Sequence, residues 1–218
     1  MTVEAQGELA ELEPRLRARL HPLTGIDHDR HRPVTDPRTP GKDEADYTPA
    51  AVLAGLIARP EGLSVLLTRR SDALRRHSGQ VALPGGRAEP GETPVQTALR
   101  EAEEEVGLAR EFVDVLGYLD DQVVISGFRV TPVVGLVRPG YSLRLDPTEV
   151  ARVFEVPLDY VIDPGNHRPR RVLLGGQELH LKDVAYEGDT IWGATGGMLI
   201  TLAATLADAA PESTHDHR

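Results

Sequence analysis

Between Gly86 and Leu108 the chain is committed to one local structure: Gly-Arg-Ala-Glu-Pro-Gly-Glu-Thr-Pro-Val-Gln-Thr-Ala-Leu-Arg-Glu-Ala-Glu-Glu-Glu-Val-Gly-Leu. A glycine-rich loop leads into a short helix whose two ends are both marked. Thr93 stands where an N-cap belongs, Pro94 suits the first helical position, and Gln96 can complete a capping box. Gly107 fits the residue just past the helix end, where a left-handed conformation is common. Val95, Ala98, Leu99, Ala102 and Val106 recur at helical spacing, so one stripe should dock on a core. The charges fall where the stripe leaves room. Glu101, Glu104 and Glu105 share one side at i, i+3 and i+4, and three carboxylates that close repel one another unless a cation neutralises them. Oxygen ligands of this kind suit a hard divalent ion, Mg2+ or Mn2+, which keeps several waters that a diphosphate oxygen can replace. Arg100 and Glu92 are placed to pair across the loop–helix junction and to fix its geometry.

A lone Glu-rich helix is ordinarily a solvated face. Here the spacing is too restrictive for that reading. Gly86, Glu92, Arg100, Glu101, Glu104, Glu105 and Gly107 stand at the fixed intervals of the Nudix box, Gly-x5-Glu-x7-Arg-Glu-U-x-Glu-Glu-x-Gly-U, where U is apolar; Ala102 and Leu108 fill the two apolar places. The segment resembles that box throughout. The resemblance implies a metal-dependent hydrolase of diphosphates linked to another group. It also implies an α/β (α+β) fold, a Nudix-type α/β/α sandwich with a mixed sheet and a loop–helix–loop catalytic motif. Glu101, Glu104 and Glu105 would then be the metal ligands, joined by the Gly86 carbonyl.

The run from Leu66 to Gly86 carries a second signal. Leu63 to Thr68 reads as a buried strand. Beyond it Arg69, Arg70, Arg75, Arg76, His77 and Arg87 crowd one region of a chain whose formal charge is -10. A basic island beside an acidic metal site suggests an anion-binding lip, and the planar fork of arginine suits phosphate. A solvated basic loop is the plain alternative. The run also resembles the signature of coenzyme A pyrophosphatases within the Nudix superfamily. Leu66, Leu67, Thr68, Arg70, Ser71, Arg75, Gly79, Pro84, Gly85 and Gly86 match it, whereas Leu83 stands where phenylalanine is usual. Looser likenesses follow at Ser126 to Gly135, at Glu149 to Leu158 and at Ile191 to Thr195. After the last of these, Gly196-Gly197 replaces an expected Ala-Arg pair.

A chain of 218 residues allows one domain with extensions. We expect an N-terminal helix and Pro-rich linker over 1–46, a hydrolase domain over 47–210 and a flexible tail over 211–218. Glu4 to Leu20 reads as a helix with Pro14 as a possible bend, and His21 to Pro49 as a surface linker in which His28 and His31 are solvated. Cysteine is absent, which excludes disulfides, thiolate zinc sites and thiol catalysis. No apolar run is long enough to span a membrane and the N-terminus has no signal-peptide core, so no membrane partner and a cytoplasmic location are expected. The acidic balance argues against nucleic acid. Strands are expected over Ala51 to Ala58, Phe112 to Asp120, Gln122 to Val137 and Val150 to Val156, with a hairpin about Gly175-Gly176 and a packed helix over Met198 to Leu206.

The resemblance implies hydrolysis of coenzyme A or a derivative to 3′,5′-ADP and 4′-phosphopantetheine. Arg70 and Arg75, with Gly85 and Gly86, would hold the substrate, Arg100 would orient the carboxylates, and Glu149 would act as base or extra ligand; its ordinary role is a cap. The box handles only the diphosphate, so ADP-ribose, NADH or a nucleoside triphosphate remain alternative substrates. A non-catalytic nucleotide sensor is a third reading. A homodimer is the usual prior for a small enzyme.

Overall fold

The computed structural model describes residues 13–23, 46–73, 78–124, 126–174 and 177–207. Arg75, the histidines at 28 and 31, Gly175-Gly176 and the C-terminal tail lie outside the described residues. So does the part of the N-terminal helix before residue 13.

Strand β1 (Thr48–Arg59) is the centre of the molecule. Its sequence is apolar almost throughout, because it is buried on both faces: Ala50, Ala54 and Leu56 enter one core, and Ala51, Leu53 and Ile57 the other. It pairs antiparallel with β2 (Gly62–Arg70) and parallel, over ten residues, with β7 (Phe128–Val137). The sheet is therefore mixed. β3 (Val81–Ala82) and β8 (Val150–Pro157) pair with β2, and β4 (Gly85–Arg87) pairs with β1. β5 (Val113–Tyr118) and β6 (Gln122–Val124) pair with β7, completing an eight-stranded sheet. The expected strands are present, and Ser126-Gly127 forms the turn between β6 and β7.

Helices cover both faces. On one, α2 (Pro94–Val106) seats Ala98, Ala102 and Val106 against Leu53, Leu66 and Val133. On the other lie α1 (residues 13–19), α3 (Leu158–Ile162) and α4 (Gly193–Ala207). They pack with Val65, Leu67, Val134 and Val156. A second, three-stranded sheet of β9 (His167–Leu174), β10 (Gln177–Tyr186) and β11 (Asp189–Ile191) precedes α4.

Two local readings of the sequence change. His21 is not loose linker: its backbone bridges to Tyr118, with N–H to carbonyl distances of 2.9 and 3.1 Å. Thr48 and Pro49 belong to β1. The Gly196-Gly197 pair has a steric reason. A Cβ at Gly197 would lie 2.9 Å from the Gln122 amide, and one at Gly196 would lie 3.0 Å from the Ile191 carbonyl. Gln122 is best oriented with its NH2 donating to Ala194 O and its oxygen accepting from Met198 N–H, each at 3.0 Å. It thus serves the first turn of α4 from the space an arginine at 197 would need. Leu83, at 2% exposure, fills the apolar place expected of phenylalanine.

Candidate active site

The helix that carries the carboxylates is capped as its sequence requires. Thr93 Oγ1 accepts from Gln96 N–H, the Gln96 side chain accepts from Thr93 N–H at 2.8 Å, and Gly107 closes the helix at φ 72°. Arg100 is the hub of its first turns. Its guanidinium donates to Glu92 through Nε and Nη2 at 2.8 and 3.0 Å, to Glu101 and Glu104 through Nη1 at 2.9 Å each, and to the Arg87 carbonyl at 3.1 Å. Glu92 also accepts from Glu89 N–H and Thr97 Oγ1, both at 2.9 Å. The Arg100 guanidinium, seconded by the Glu89 N–H, holds the Glu92 carboxyl well below the usual carboxylate range. The loop before the helix is thereby tied to the helix, as the paired Glu92 and Arg100 implied.

Gly85 and Gly86 are glycines because carboxylates and backbone occupy the space around them. A Cβ at Gly86 would lie 2.5 Å from the Glu101 carboxyl carbon, and one at Gly85 would lie 2.4 Å from the Ala51 carbonyl. The Gly85 N–H donates to Glu105 Oε2 at 3.2 Å. Arg70, at the end of β2, brings Nη1 within 3.6 Å of Glu105 Oε1, and its Nε is buried with no hydrogen-bond partner. Glu105 is 4% exposed. Burial pushes its carboxyl up to about 7 against the opposing pull of the Gly85 N–H and Arg70. Burial also raises Glu101.

Glu149 joins this group electrostatically, its charge repelling those on Glu101 and Glu105. Its segment is fastened to the end of β2, since Ser71 N–H donates to the Glu149 carbonyl at 2.8 Å. The described residues thus bring together Gly85, Gly86, Arg70, Glu101, Glu105 and Glu149, with Arg100 and Glu104 at the outer edge. A cleft of about 640 Å³ opens beside Glu101, between the start of β1 at Thr48-Pro49 and the loop from Arg87 to Glu92. From the sequence Arg87 reads only as part of a basic island, and the cleft leaves no mark there, because its walls come from segments about forty residues apart.

Residues 47–174 match the NUDIX domain family model, which is more than half of the chain. The chain belongs to the Nudix family. Curated relatives agree. A Nudix hydrolase NudL of Photorhabdus laumondii is 44% identical over 155 residues, covering 71% of this chain and 82% of the relative. Its counterpart in Yersinia enterocolitica is 43% identical, covering 75% and 84%. Among solved structures the Nudix hydrolase RenU of M. smegmatis shares the fold, with a TM-score of 0.52 and 21% identity over 76% of this chain and 88% of that one.

Nudix hydrolases generally use Mg2+ or Mn2+, and the donor set here suits such an ion in kind. It comprises carboxylates and a backbone carbonyl with no nitrogen or sulfur, and it includes a buried carboxyl, raised to about 7 by burial, whose ionised form a cation would favour. Among the described residues, however, no three acidic or histidine side chains converge on one point. Arg100 Nη1 bonds both Glu101 and Glu104 where the sequence placed a metal, and the Glu104 side chain is 60% exposed.

Proposed function

We propose that this Nudix hydrolase cleaves the diphosphate of coenzyme A, or of a CoA derivative, to 3′,5′-ADP and 4′-phosphopantetheine. One observation carries the reading. The signature run and the box meet at a single buried carboxylate: Arg70 from the run and the Gly85 N–H from its Pro-Gly-Gly end both approach Glu105 of the box. The stretch that resembles the coenzyme A signature therefore lies against a carboxylate of the box, which supports the reading.

Glu101, Glu104 and Glu105, with the Gly86 carbonyl, are the groups that would hold the divalent ion. When bound, that ion supplies charge neutralisation at the diphosphate and a more acidic water. Arg100 sets the rotamers of Glu101 and Glu104 and holds the loop against the helix. Arg70 and Arg75 supply guanidinium forks for phosphate oxygens. Glu149, exposed and electrostatically coupled to the half-buried Glu101 and the buried Glu105, would take a proton from the attacking water.

The test is a product analysis. The protein is incubated with Mg2+ or Mn2+ and, separately, coenzyme A, an acyl-CoA, NADH, ADP-ribose and nucleoside triphosphates. Release of 3′,5′-ADP from the CoA substrates, at the highest kcat/KM of the panel, is expected. Preferential turnover of ADP-ribose, NADH or a triphosphate would reassign the substrate. No turnover at all would make the chain a nucleotide sensor.

A further inference from the structure

Among the described residues the other arginines around the reaction centre each have a carboxylate within ion-pair distance: Arg100 has Glu92, Glu101 and Glu104, Arg70 has Glu105 at 3.6 Å, and Arg69 and Arg152 have Asp189. Arg87 is the exception. Its backbone carbonyl accepts from Arg100, but its exposed guanidinium makes no hydrogen bond or ion pair among the described residues. It stands one residue from Gly86 and in the wall of the cleft that adjoins Glu101. Three other cationic side chains share this lack of a partner and lie elsewhere. Arg144 is at the C-terminal end of α2, and Arg168 and Lys182 are on the β9–β10 hairpin.

The cleft has the size of a small-ligand site. Pro49, Ala88 and Pro90 give it apolar surface, and Arg87 and Glu89 are its charges that stand apart from the Arg100 network. The Arg87 wall is held stiff, because Ala88 N–H donates to the Pro49 carbonyl at 3.0 Å and Arg100 clamps the loop behind it. A guanidinium that is unpaired among the described residues, carried on a tethered backbone beside a diphosphate centre in a chain of net charge -10, is a receptor for a further anion.

We propose that Arg87 and this cleft bind the nucleotide half of the substrate through a third phosphate, the 3′-phosphate that separates coenzyme A from substrates carrying only the diphosphate. The inference rests on the diphosphatase reading above and deepens it. The pantetheine half is uncharged and offers Arg87 only neutral acceptors, which are weaker partners for a guanidinium than an anion. The adenosine half presents an aromatic ring to the apolar wall and a dianion to the guanidinium.

The experiment reads binding, so it does not depend on turnover. Calorimetric titration of the Mg2+-loaded protein with 3′,5′-ADP and with 5′-AMP gives a ratio of dissociation constants. The wild-type protein is expected to prefer 3′,5′-ADP by at least about tenfold. Arg87→Ala should bring the ratio to within about twofold of unity, Arg87→Lys should leave it intermediate, and Arg87→Glu should invert it. A wild-type ratio near one, no detectable binding of 3′,5′-ADP, or a ratio unchanged in Arg87→Ala overturns the proposal. Arg87 is exposed, so these variants are expected to fold, and coincident thermal melts verify it. Failure to hydrolyse coenzyme A in the substrate panel would defeat the substrate reading while this ratio was still measured, so the two failures are distinguishable.

Discussion

Glu104 and Glu105 are adjacent in sequence and opposite in environment. Glu104 is exposed and, among the described residues, its ion pair is with Arg100, whereas Glu105 is buried on the side of α2 that meets the Gly85 backbone. Neutralising Glu104 would therefore remove a proposed metal ligand but no packing. Glu104→Gln should lower kcat at least about a hundredfold while the unfolding free energy changes by less than about 0.5 kcal/mol. Near-normal turnover in that variant would refute the metal-site assignment. Glu105 predicts a pH dependence. Its carboxyl titrates near 7 in the folded, metal-free chain and near 4.5 in the unfolded chain. The stabilising proton is present on the folded state below 4.5 and is lost as pH rises through 7. Metal-free protein should thus be less stable at pH 8 than at pH 5 by up to about 3 kcal/mol from this group. A divalent ion offsets that cost, so Mg2+ should raise the melting temperature more at pH 8 than at pH 5. Glu105→Gln should stabilise the metal-free protein at pH 8. Equal Mg2+ increments at both pH values would contradict the assignment.

At the scale of elements, α2 was legible to the residue, because its signals are local. The cap, the proline, the stripe and the closing glycine each act within one or two turns. Thr93→Ala removes the acceptor for Gln96 N–H and half of the capping box. It should cost about 1 kcal/mol in urea denaturation, with Thr93→Ser largely retaining stability. An unchanged midpoint for Thr93→Ala would show that packing alone holds the helix start. The short β3, β4 and β11, of two or three residues each, carry no periodic signal and were not readable as strands, whereas the longer strands were. Their partners were not, since the parallel pairing of β1 with β7 joins residues about eighty apart and leaves no mark in either segment. The site was legible in the same uneven way. The box and its Arg100–Glu92 pair could be read from spacing. The burial of Glu105, the approach of Arg70 and the cleft beside Arg87 depend on how β2, β4 and β1 are stacked. Gln122 filling the space beside Gly197 is a further case, where a missing side chain is answered from a strand seventy-five residues away.

For the whole molecule, the segment before the Nudix domain is part of the fold. Leu16 is 1% exposed and Leu20 6%, and both sit in the core shared with α3 and α4. The chain then enters His21, whose ring bonds Asp120 at 2.7 Å and whose backbone pairs with Tyr118 at the edge of β5. Gly117 makes the contact possible, since a Cβ there would lie 2.6 Å from the His21 carbonyl and 2.7 Å from Leu20 Cβ. Arg17 adds a bond from Nη1 to the Val115 carbonyl at 3.3 Å. If this docking were incidental, truncating its apolar anchor would cost little. Because Leu16 is fully enclosed by residues of several elements, Leu16→Ala should leave a cavity and destabilise the protein by about 2–4 kcal/mol. Residues 13–21 lie on the sheet face opposite α2, so kcat for the folded variant should stay within about twofold of wild type. Denaturation and steady-state kinetics on the same variant decide it. A stability loss below about 0.5 kcal/mol would mean that the N-terminal segment does not belong to the cooperative core, and a large fall in kcat without unfolding would mean that it reaches the active site.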